Sequence, residues 1–349
     1  MEDSQSRSPL ILQLSVPGPS SALSIINNNI LPIMFCFMDP PIENSIIRVK
    51  EDCWMLGSEY SCEVVVSMPD DAVTSWEADG NTYCIRKSSN RSNVSGDPES
   101  DRVHKGGTAA AVWRIGGTFI KVKSWLQGMQ LESDIIRFVN STSSVTTPEI
   151  LCTWVDVEWN RTFLVLKAME GQTLDEAWDS LSADQHMQIA GTVAQLCKTL
   201  ASSTSEKLMS ASGGPIAEPF LTVTPPHSKP SWKPHIYGPW SQNDLQSLFS
   251  GSDVLEGHTK FHFYHADLGP TNIMVRKDGS VVGIIDWESA AFYPRFWLGT
   301  KPLVSAGFYL SGEKDKKRNW AVMLSDALGR EGFPSDVGKY KAWSKAVRS

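Results

Sequence analysis

Residues 261–288, FHFYHADLGPTNIMVRKDGSVVGIIDWE, carry the clearest structural pattern in the sequence. An apolar run leads into the tripeptide HAD at 265–267, and Asn272 follows after four intervening residues. Two further apolar runs, 273–275 and 281–285, flank the turn-forming sequence KDGS. Apolar runs on both sides of a turn that contains Asp-Gly predict a β-hairpin.

The spacing of polar residues around this hairpin predicts a metal site. Asn272 and Asp286 each lie seven residues from Gly279. A hairpin centred within a residue of Gly279 sets these two side chains almost opposite each other, roughly 5 Å apart. Amide and carboxylate oxygens at that separation, with Asp267 on the preceding loop, suit a Mg²⁺ ion that bridges phosphate oxygens.

The arrangement HxDxxxxN followed by an apolar run and IDWE resembles the motif of the aminoglycoside phosphotransferase and choline kinase-like family. In layout the chain is most similar to fungal members of unassigned substrate. The resemblance implies an α+β, protein-kinase-like two-lobed fold, with a small antiparallel-sheet N-lobe and a larger, mainly helical C-lobe. It implies Asp267 as the base or orienter of an acceptor hydroxyl, His265 as a support for the loop, and Asn272 and Asp286 as Mg²⁺ ligands. A polar turn and a strand-end cap are the structural alternative for the same residues.

A phosphoryl-transfer site also needs a lysine for the α- and β-phosphates and an acid that holds it. Lys121 lies on a predicted strand where the family would place this lysine, but Lys123 shares its face. Helix geometry places Glu132 inside the apolar arc of a helix predicted over 131–140, and a core-facing acid needs a partner. We therefore predict an ion pair between Lys121 and Glu132, with Lys123–Glu132 as the alternative.

The resemblance places two further segments at ATP. Gly106-Gly107-Thr108 occupies the position of the family's nucleotide-covering loop, although two glycines before a strand are also typical of an ordinary turn. Residues 166–169 would form the hinge, where Lys167 and Met169 offer backbone groups to adenine.

The order of elements along the chain is typical of an α+β protein, because strands come first and helices follow. Residues 1–45 are rich in Ser, Pro and Asn and predict a flexible or loosely docked extension, followed by an N-lobe over 46–170 and a C-lobe over 171–349. The predicted strands are 53–66, 81–86, 111–115, 118–122, 149–154 and 161–166, and the predicted helices are 131–140, 174–181, 186–200 and 243–249.

Composition excludes several function classes. The 349 residues carry 32 Lys and Arg against 39 Asp and Glu, a mild acidity that argues against a nucleic-acid binder acting through bulk charge. The six cysteines include no CxxC pair, so neither a zinc site nor a disulfide framework is expected. The apolar stretch 24–38 is interrupted by three asparagines and a proline and predicts no membrane span. We expect a cytoplasmic protein whose partner is a small molecule.

Charge and aromatic residues bear on the acceptor. Residues 301–349 carry ten Lys and Arg against five Asp and Glu, the wrong sign for a pocket that binds a polycationic aminoglycoside. Aromatic residues in the proline-rich segment 215–240 predict either an apolar ligand surface or packing of the helical lobe; they are Phe220, Trp232, Tyr237 and Trp240. For the aromatic cluster at 291–297 core packing is favoured over substrate contact.

These observations predict transfer of the γ-phosphoryl group of ATP to a hydroxyl of an apolar metabolite. No APE-like activation-segment signature follows Asp286, which argues against a protein substrate. The alternative from another class is a catalytically silent relative that binds a nucleotide or a partner.

Overall fold

The computed structural model describes residues 40–88, 96–221, 236–249 and 260–348. The chain divides into two compact units. Unit 1 comprises Met1–Lys123 and Leu151–Val165, and unit 2 comprises Ser124–Ile150 and Leu166–Ser349. None of the described helices is both long and apolar enough to cross a bilayer.

Unit 1 begins with an antiparallel five-stranded sheet of order β1-β2-β3-β5-β4. Asp79 and Gly80, both with positive φ, form the two-residue turn between its last two strands, as hairpin twist requires. Residues 53–66, predicted as one strand, are two strands because Gly57, with φ of 61°, turns the chain between them. The strands are β1 Ile46–Lys50, β2 Cys53–Leu56, β3 Tyr60–Val65, β4 Ala72–Ala78 and β5 Asn81–Lys87.

A second five-stranded sheet follows, with order β6-β7-β8-β10-β9. The predicted glycine turn between β7 and β8 is confirmed, since Gly116 and Gly117 both have positive φ. Trp113, Trp154 and Phe163 lie in the core of unit 1, where the last two rings stack 4.7 Å apart. The strands are β6 Arg102–Gly106, β7 Ala110–Ile115, β8 Thr118–Ser124, β9 Ile150–Asp156 and β10 Arg161–Lys167.

The predicted N-terminal extension stops short of residue 45. Residues 1–39 lie outside the described part of the chain. Ile42, in a short 3-10 helix, is only 1% exposed and belongs to the core of unit 1. The backbone carbonyl of Pro40 accepts a hydrogen bond of 2.7 Å from the Arg161 guanidinium. Residues 40–45 are therefore part of the folded unit.

Unit 2 contains the seven α-helices found among the described residues. The long helix α3 begins with a capping box, in which the hydroxyl of Ser182 and the side chain of Gln185 satisfy each other's backbone N–H groups. The predicted helix over 174–181 is a single α-helical turn that continues as a 3-10 helix. The helices are α1 Glu132–Thr142, α2 Leu174–Ala177, α3 Ala183–Leu200, α4 Gln242–Leu248, α5 Arg295–Val304, α6 Asn319–Arg330 and α7 Val337–Arg348.

Two small sheets in unit 2 position the predicted site. The three-stranded sheet has order β11-β16-β17, and the five-stranded sheet has order β12-β15-β18-β13-β14. Together they hold the strands on either side of the HAD tripeptide and of Asp286. Their strands are β11 Gln172–Thr173, β12 Thr204–Ser205, β13 Lys207–Ser210, β14 Trp240–Ser241, β15 Phe261–Tyr264, β16 Ile273–Val275, β17 Val281–Ile284 and β18 Ala291–Pro294.

Helix α1 belongs to unit 2, whereas the sequence assigned it to an N-lobe that ended at residue 170. The reason is packing. Phe138 meets Phe263 and Phe292 edge to face, with ring centroids 4.7 and 5.9 Å apart. These rings come from β15 and β18, so the apolar face of α1 is buried against the sheet that leads to the predicted site.

Candidate active site

The HxD loop, residues 265–272, connects β15 to β16. His265 is fully buried, and its Nε2 donates a hydrogen bond of 3.0 Å to the Ile285 carbonyl. Its Nδ1 accepts a hydrogen bond of 3.1 Å from the Asp267 backbone N–H. The imidazole is therefore the neutral Nε2–H tautomer, and burial lowers its pKa below the ordinary value of 6.5. His265 supports the loop and presents Asp267.

The rest of the HxD loop is held by further hydrogen bonds. The side-chain nitrogen of Asn272 donates to the Asp267 carbonyl at 2.8 Å and lies 3.4 Å from the Asp267 carboxylate. The Trp320 indole donates to the Leu268 carbonyl at 2.9 Å. Gly269 leaves no room for a side chain, because an added Cβ would collide with the Gly307 carbonyl oxygen. The position of Asp267 is thus fixed from several directions.

Asp267 itself is half-buried. Burial raises its pKa above the ordinary value of 3.8, and the charge of Lys301 partly opposes this shift. A carboxylate with a raised pKa is a stronger proton acceptor than an exposed one. Its environment therefore suits a general base.

The hairpin register is offset by one residue from exact symmetry about Gly279. Ile273 pairs with Ile284 and Met274 with Gly283, so the residue opposite Asn272 is Ile285, whose N–H donates to the Asn272 carbonyl at 2.9 Å. Asp286 lies one residue further on, so the hairpin is centred within a residue of Gly279, as predicted, and Asp286 is next to the residue opposite Asn272. The irregularity between Met274 and Val275 brings the register closer to this centre, and a left-handed backbone at Asp286, with φ of 63°, ends the extended segment.

Three carboxylates come together at the end of the hairpin. Oxygens of Glu132, Asp286 and Glu288 all lie within 4.8 Å of one another. Glu132, at the start of α1, also accepts a hydrogen bond of 3.0 Å from the Trp287 backbone N–H, which fixes it against this turn. Oxygen donors of this kind fit a hard divalent cation such as Mg²⁺. We did not predict a role for Glu288, although the motif IDWE displays it two residues after Asp286.

Asn272 also fits a metal ligand. The side-chain nitrogen of Asn272 donates to the Asp267 carbonyl. This bond fixes the orientation of the amide, with Oδ1 on the side away from the Asp267 carbonyl. The hydroxyl of Thr271 lies 3.5 Å from this oxygen, at the limit of a hydrogen bond. An amide oxygen and nearby carboxylates form a donor set of the kind that Mg²⁺ prefers.

The two candidate lysines lie on β8 in unit 1. The burial pattern of the strand alternates, and Lys121 and Lys123 share the less buried face with Phe119. The prediction that the two lysines lie on the same face of the strand is confirmed. The ion pair of either lysine with Glu132 stays a prediction.

The glycine turn, residues 106–109, joins β6 to β7. Gly106 pairs with Ala110, and Gly107 adopts a left-handed backbone with φ of 61°. An added Cβ at Gly107 would meet nothing within 4 Å. Gly106, Gly107 and Thr108 therefore form an exposed hairpin turn, and their contact with a nucleotide stays a prediction.

The predicted hinge lies at the end of β10. The Lys167 N–H donates to the Glu149 carbonyl at 3.0 Å, so this donor is engaged within the protein. The Lys167 ammonium lies 3.4 Å from the Glu149 carboxylate at an exposed position. Met169 is half-buried and lies against Gly283. A Cβ added at Gly283 would collide with the terminal methyl carbon of Met169. A role for Lys167 or Met169 in adenine binding stays a prediction.

The aromatic cluster at 291–297 packs the core of unit 2. Its four rings are all at most 5% exposed; they are Phe292, Tyr293, Phe296 and Trp297. Core packing, the favoured interpretation, is thus confirmed for this cluster.

In the segment 215–240, Tyr237 is buried and its hydroxyl donates to the Glu218 carbonyl at 2.9 Å. Phe220 packs beside Trp297 at 6.2 Å, Trp240 beside Tyr237 at 5.8 Å, and Trp232 lies outside the described residues.

A buried ion pair reduces the excess positive charge that residues 301–349 can present to a ligand. Lys301 is 5% exposed and Glu218 1% exposed, and their side chains meet at 2.5 Å. The Trp297 indole donates to the same carboxylate at 3.4 Å. The charge of Lys301 is therefore compensated inside unit 2, so it does not contribute to the excess positive charge of a ligand surface.

Comparison with known proteins places this site in a family. A family model described as the phosphotransferase enzyme family matches residues 102–297, more than half of the chain. No curated protein matched the sequence at a significant level.

Solved structures similar to this chain include three complexes of aminoglycoside phosphotransferases. A GDP complex of aminoglycoside 2′-phosphotransferase-IIIa is 14% identical, covers 71% of this chain and 84% of its own, and has a TM-score of 0.44. A GDP and kanamycin complex of APH(2″)-IIia is 14% identical, with coverages of 70% and 81% and a TM-score of 0.41. A thermostable mutant of APH(4)-Ia with AMP-PNP and hygromycin B is 18% identical, with coverages of 71% and 94% and a TM-score of 0.40.

Proposed function

Because the chain belongs to the phosphotransferase enzyme family, we propose that it transfers the γ-phosphoryl group of ATP to a hydroxyl of a small molecule. The chain has the protein-kinase-like α+β fold that its sequence motif predicted. The observation that carries the proposal is the HxD loop. Its hydrogen bonds present a half-buried carboxylate, Asp267, beside the amide of Asn272. Positioning and charge stabilisation supply most of the catalysis in phosphoryl transfer.

Asp267 is the proposed base. The acceptor oxygen forms a bond to the γ-phosphorus, and the bond between that phosphorus and the β–γ bridging oxygen breaks. ADP leaves with the electron pair of the broken bond, and the proton of the acceptor hydroxyl passes to the Asp267 carboxylate. His265 acts as a positioning residue, since its buried imidazole orients the Asp267 backbone.

Asn272 and Asp286 are the proposed Mg²⁺ ligands, and the nearby carboxylates of Glu132 and Glu288 add to the oxygen donors available there. Bound Mg²⁺ would neutralise charge on the phosphate oxygens during transfer. This chain's own contribution is to hold these oxygens in place. The Asp267 carbonyl orients the Asn272 amide, and the Trp287 N–H holds Glu132.

The remaining nucleotide contacts belong to the same proposal. Lys121 would pair with the α- and β-phosphates, while the backbone N–H groups of the glycine turn would contact phosphate oxygens. Backbone groups of Lys167 and Met169 would contact adenine. We further propose that the acceptor is an apolar hydroxylated metabolite. The basic excess of residues 301–349 opposes a polycationic acceptor, even without Lys301.

An unbiased acceptor screen tests the proposal. Purified protein is incubated with Mg·ATP and a metabolite extract, and mass spectrometry follows components that gain one phosphoryl group. Reactions without ATP or without Mg²⁺ are the controls. We expect at least one apolar hydroxylated component to be phosphorylated with matching formation of ADP, and negligible phosphorylation of kanamycin-type compounds or of choline. An extract without any ATP-dependent gain would argue for a silent relative.

A further inference from the structure

A turn directly after α5 lies against the carboxylate of the proposed base. The turn is a short 3-10 helix, Ala306–Phe308, and the hydroxyl of Ser305 caps it by accepting a hydrogen bond of 3.3 Å from the Gly307 N–H. Phe308 is buried and anchors the turn in unit 2. Ala306 and Gly307, in contrast, are exposed. The exposed edge of the turn therefore consists of the two smallest residue types.

Gly307 is the residue of this turn that approaches Asp267. A Cβ added at Gly307 would lie 3.1 Å from Oδ1 of Asp267 and 3.4 Å from the Ser305 hydroxyl oxygen. The second distance is an ordinary van der Waals contact, so the turn itself has room for a methyl group. The first distance is within the reach of a hydrogen bond to a general base. A methyl group at residue 307 would thus occupy a position from which a hydroxyl could donate to Oδ1.

The two carboxylate oxygens of Asp267 have different surroundings. Oδ2 lies 3.4 Å from the side-chain nitrogen of Asn272. Oδ1 accepts no hydrogen bond from any residue in the described part of the chain, although the side chain is half-buried. A half-buried carboxylate oxygen gains free energy from a hydrogen-bond donor. Oδ1 is therefore the oxygen that is available for the proton of an acceptor, and Gly307 borders it.

We propose that the space beside Gly307 receives the reacting oxygen of the acceptor, and that the acceptor is a primary alcohol. The inference rests on the proposed function and specifies its substrate class. The hydroxyl donates to Oδ1 of Asp267 from the space that a side chain at residue 307 would fill. The reacting carbon is bonded to that oxygen, so a second carbon attached to it would approach the backbone of the turn. Gly307 is a specificity-determining residue because it limits the bulk next to the hydroxyl.

Partition of the phosphoryl group between water and two isomeric alcohols tests this role. The full chain is incubated with Mg·ATP and equal concentrations of 1-propanol or 2-propanol, and phosphorus NMR resolves the propyl phosphate from inorganic phosphate. Water is the smallest acceptor and reacts at the same phosphorus, so the ratio of propyl phosphate to inorganic phosphate measures steric access. In the wild type we expect this ratio to be at least about tenfold higher for 1-propanol than for 2-propanol.

A matched pair of glycine substitutions locates the effect. Gly307→Ala should lower the 1-propanol ratio at least about tenfold, because an added methyl group excludes an alcohol more than it excludes water. Gly191→Ala adds the same methyl group inside α3, where a Cβ would meet nothing within 4 Å, and should leave the ratio unchanged. Displacement of the Asp267 carboxylate would reduce hydrolysis and transfer together, so the ratio distinguishes lost access from a displaced base. Thermal unfolding checks each variant, and the wild-type preference for 1-propanol carries the test if Gly307→Ala does not fold.

The possible outcomes separate the two proposals. Calorimetry of Mg·ATP binding is measured on the same samples. Equal ratios for the two alcohols in the wild type, or a 1-propanol ratio in Gly307→Ala that equals the wild-type ratio, would overturn the role of Gly307 and leave the proposed function standing. Hydrolysis without any propyl phosphate in the wild type would also overturn this role. A wild-type protein that neither binds Mg·ATP nor transfers its phosphoryl group to water or alcohol would contradict the proposed function, and with it the role of Gly307.

Discussion

The HxD loop and the glycine turn are both short, glycine-containing segments that the sequence marks as site elements, yet they are held in different ways. In the HxD loop, side chains and backbone groups of residues 265–272 bond to one another, to Ile285 directly after β17, and to Trp320 in α6. In the glycine turn, residues 106–109, Gly107 has open space around it. Tertiary contacts fix the first segment, whereas the second needs only its local backbone geometry.

This difference shows what each glycine contributes. Gly269 has a negative φ that any residue could adopt, but the Gly307 carbonyl excludes a side chain. Gly107 has space for a side chain, but its φ of 61° is unfavourable for other residues. The first glycine is required by packing and the second by conformation.

The largest effect should come from the carboxylate at the centre of the HxD loop. Asp267→Asn keeps the shape but removes the base, so turnover should fall by about 10²–10⁴-fold. In the glycine turn the matched isosteric change is Thr108→Val, which removes a hydroxyl and should leave turnover within a few-fold of wild type, because backbone N–H groups are proposed to act there. Steady-state ADP release measures both. Wild-type turnover in Asp267→Asn would contradict its role as the base. A loss of similar size in Thr108→Val would contradict the proposal that the glycine turn acts through its backbone.

Alanine substitution should destabilise the protein more at Gly269 than at Gly107. Gly269→Ala places a Cβ against a backbone carbonyl that no rotamer change can relieve, and should destabilise the protein by about 3 kcal/mol or more. Gly107→Ala should cost about 1–2 kcal/mol from its left-handed backbone alone. Denaturant unfolding gives both values. Equal losses of stability in the two variants would mean that the HxD loop is not held by the packing described here.

Metal binding should depend more on Asp286 than on Asn272. Asp286→Ala removes a charged ligand and should weaken Mg²⁺-dependent ATP affinity by more than about tenfold. Asn272→Ala removes a neutral amide and should weaken it less. Calorimetry of Mg·ATP measures the two affinities, with ATP alone as the control. Unperturbed binding in both variants would contradict the site.

The smallest effect concerns pH. Asp267 must be ionised to accept a proton, and burial raises its pKa above 3.8. Turnover should therefore fall as the pH decreases through this raised pKa, at a higher pH than an exposed aspartate would give. His265, whose pKa is lowered by burial, stays neutral and adds no charge change near neutral pH. The glycine turn contains no titratable side chain. An acid limb at or below the ordinary aspartate pKa would contradict the environment described for Asp267.

Local sequence patterns were sufficient to predict much of this architecture. Four of the five strands of the second sheet, the glycine turn at 116–117 and most of helix α3 were predicted from apolar patterns and turn residues, whereas β6 was not predicted. The register of the hairpin was predicted only to within one residue from symmetry about Gly279. The pairing is offset from that symmetry by one residue at Ile273 and by two at Val275, and no residue type indicates the irregularity between them.

The contacts that complete the candidate site were beyond the reach of the sequence. Glu132 was expected to face the core, and it does accept a hydrogen bond from a backbone group there, but its proximity to Glu288 depends on how α1 packs within unit 2. Contacts of this kind arise from long-range packing, which cannot be predicted from local periodicity and spacing.

We propose that Asp267 acts in phosphoryl transfer and that Asp286 acts in binding of the metal and nucleotide. The most direct test measures Mg·ATP affinity and phosphoryl transfer on one preparation of Asp267→Asn, with Asp278→Asn, the same change in the exposed hairpin turn, as the control. We predict that Asp267→Asn binds Mg·ATP within a few-fold of wild type while transfer to the acceptor is lost, and that Asp278→Asn retains both. Loss of nucleotide affinity in Asp267→Asn, or transfer at the wild-type rate, would contradict the account.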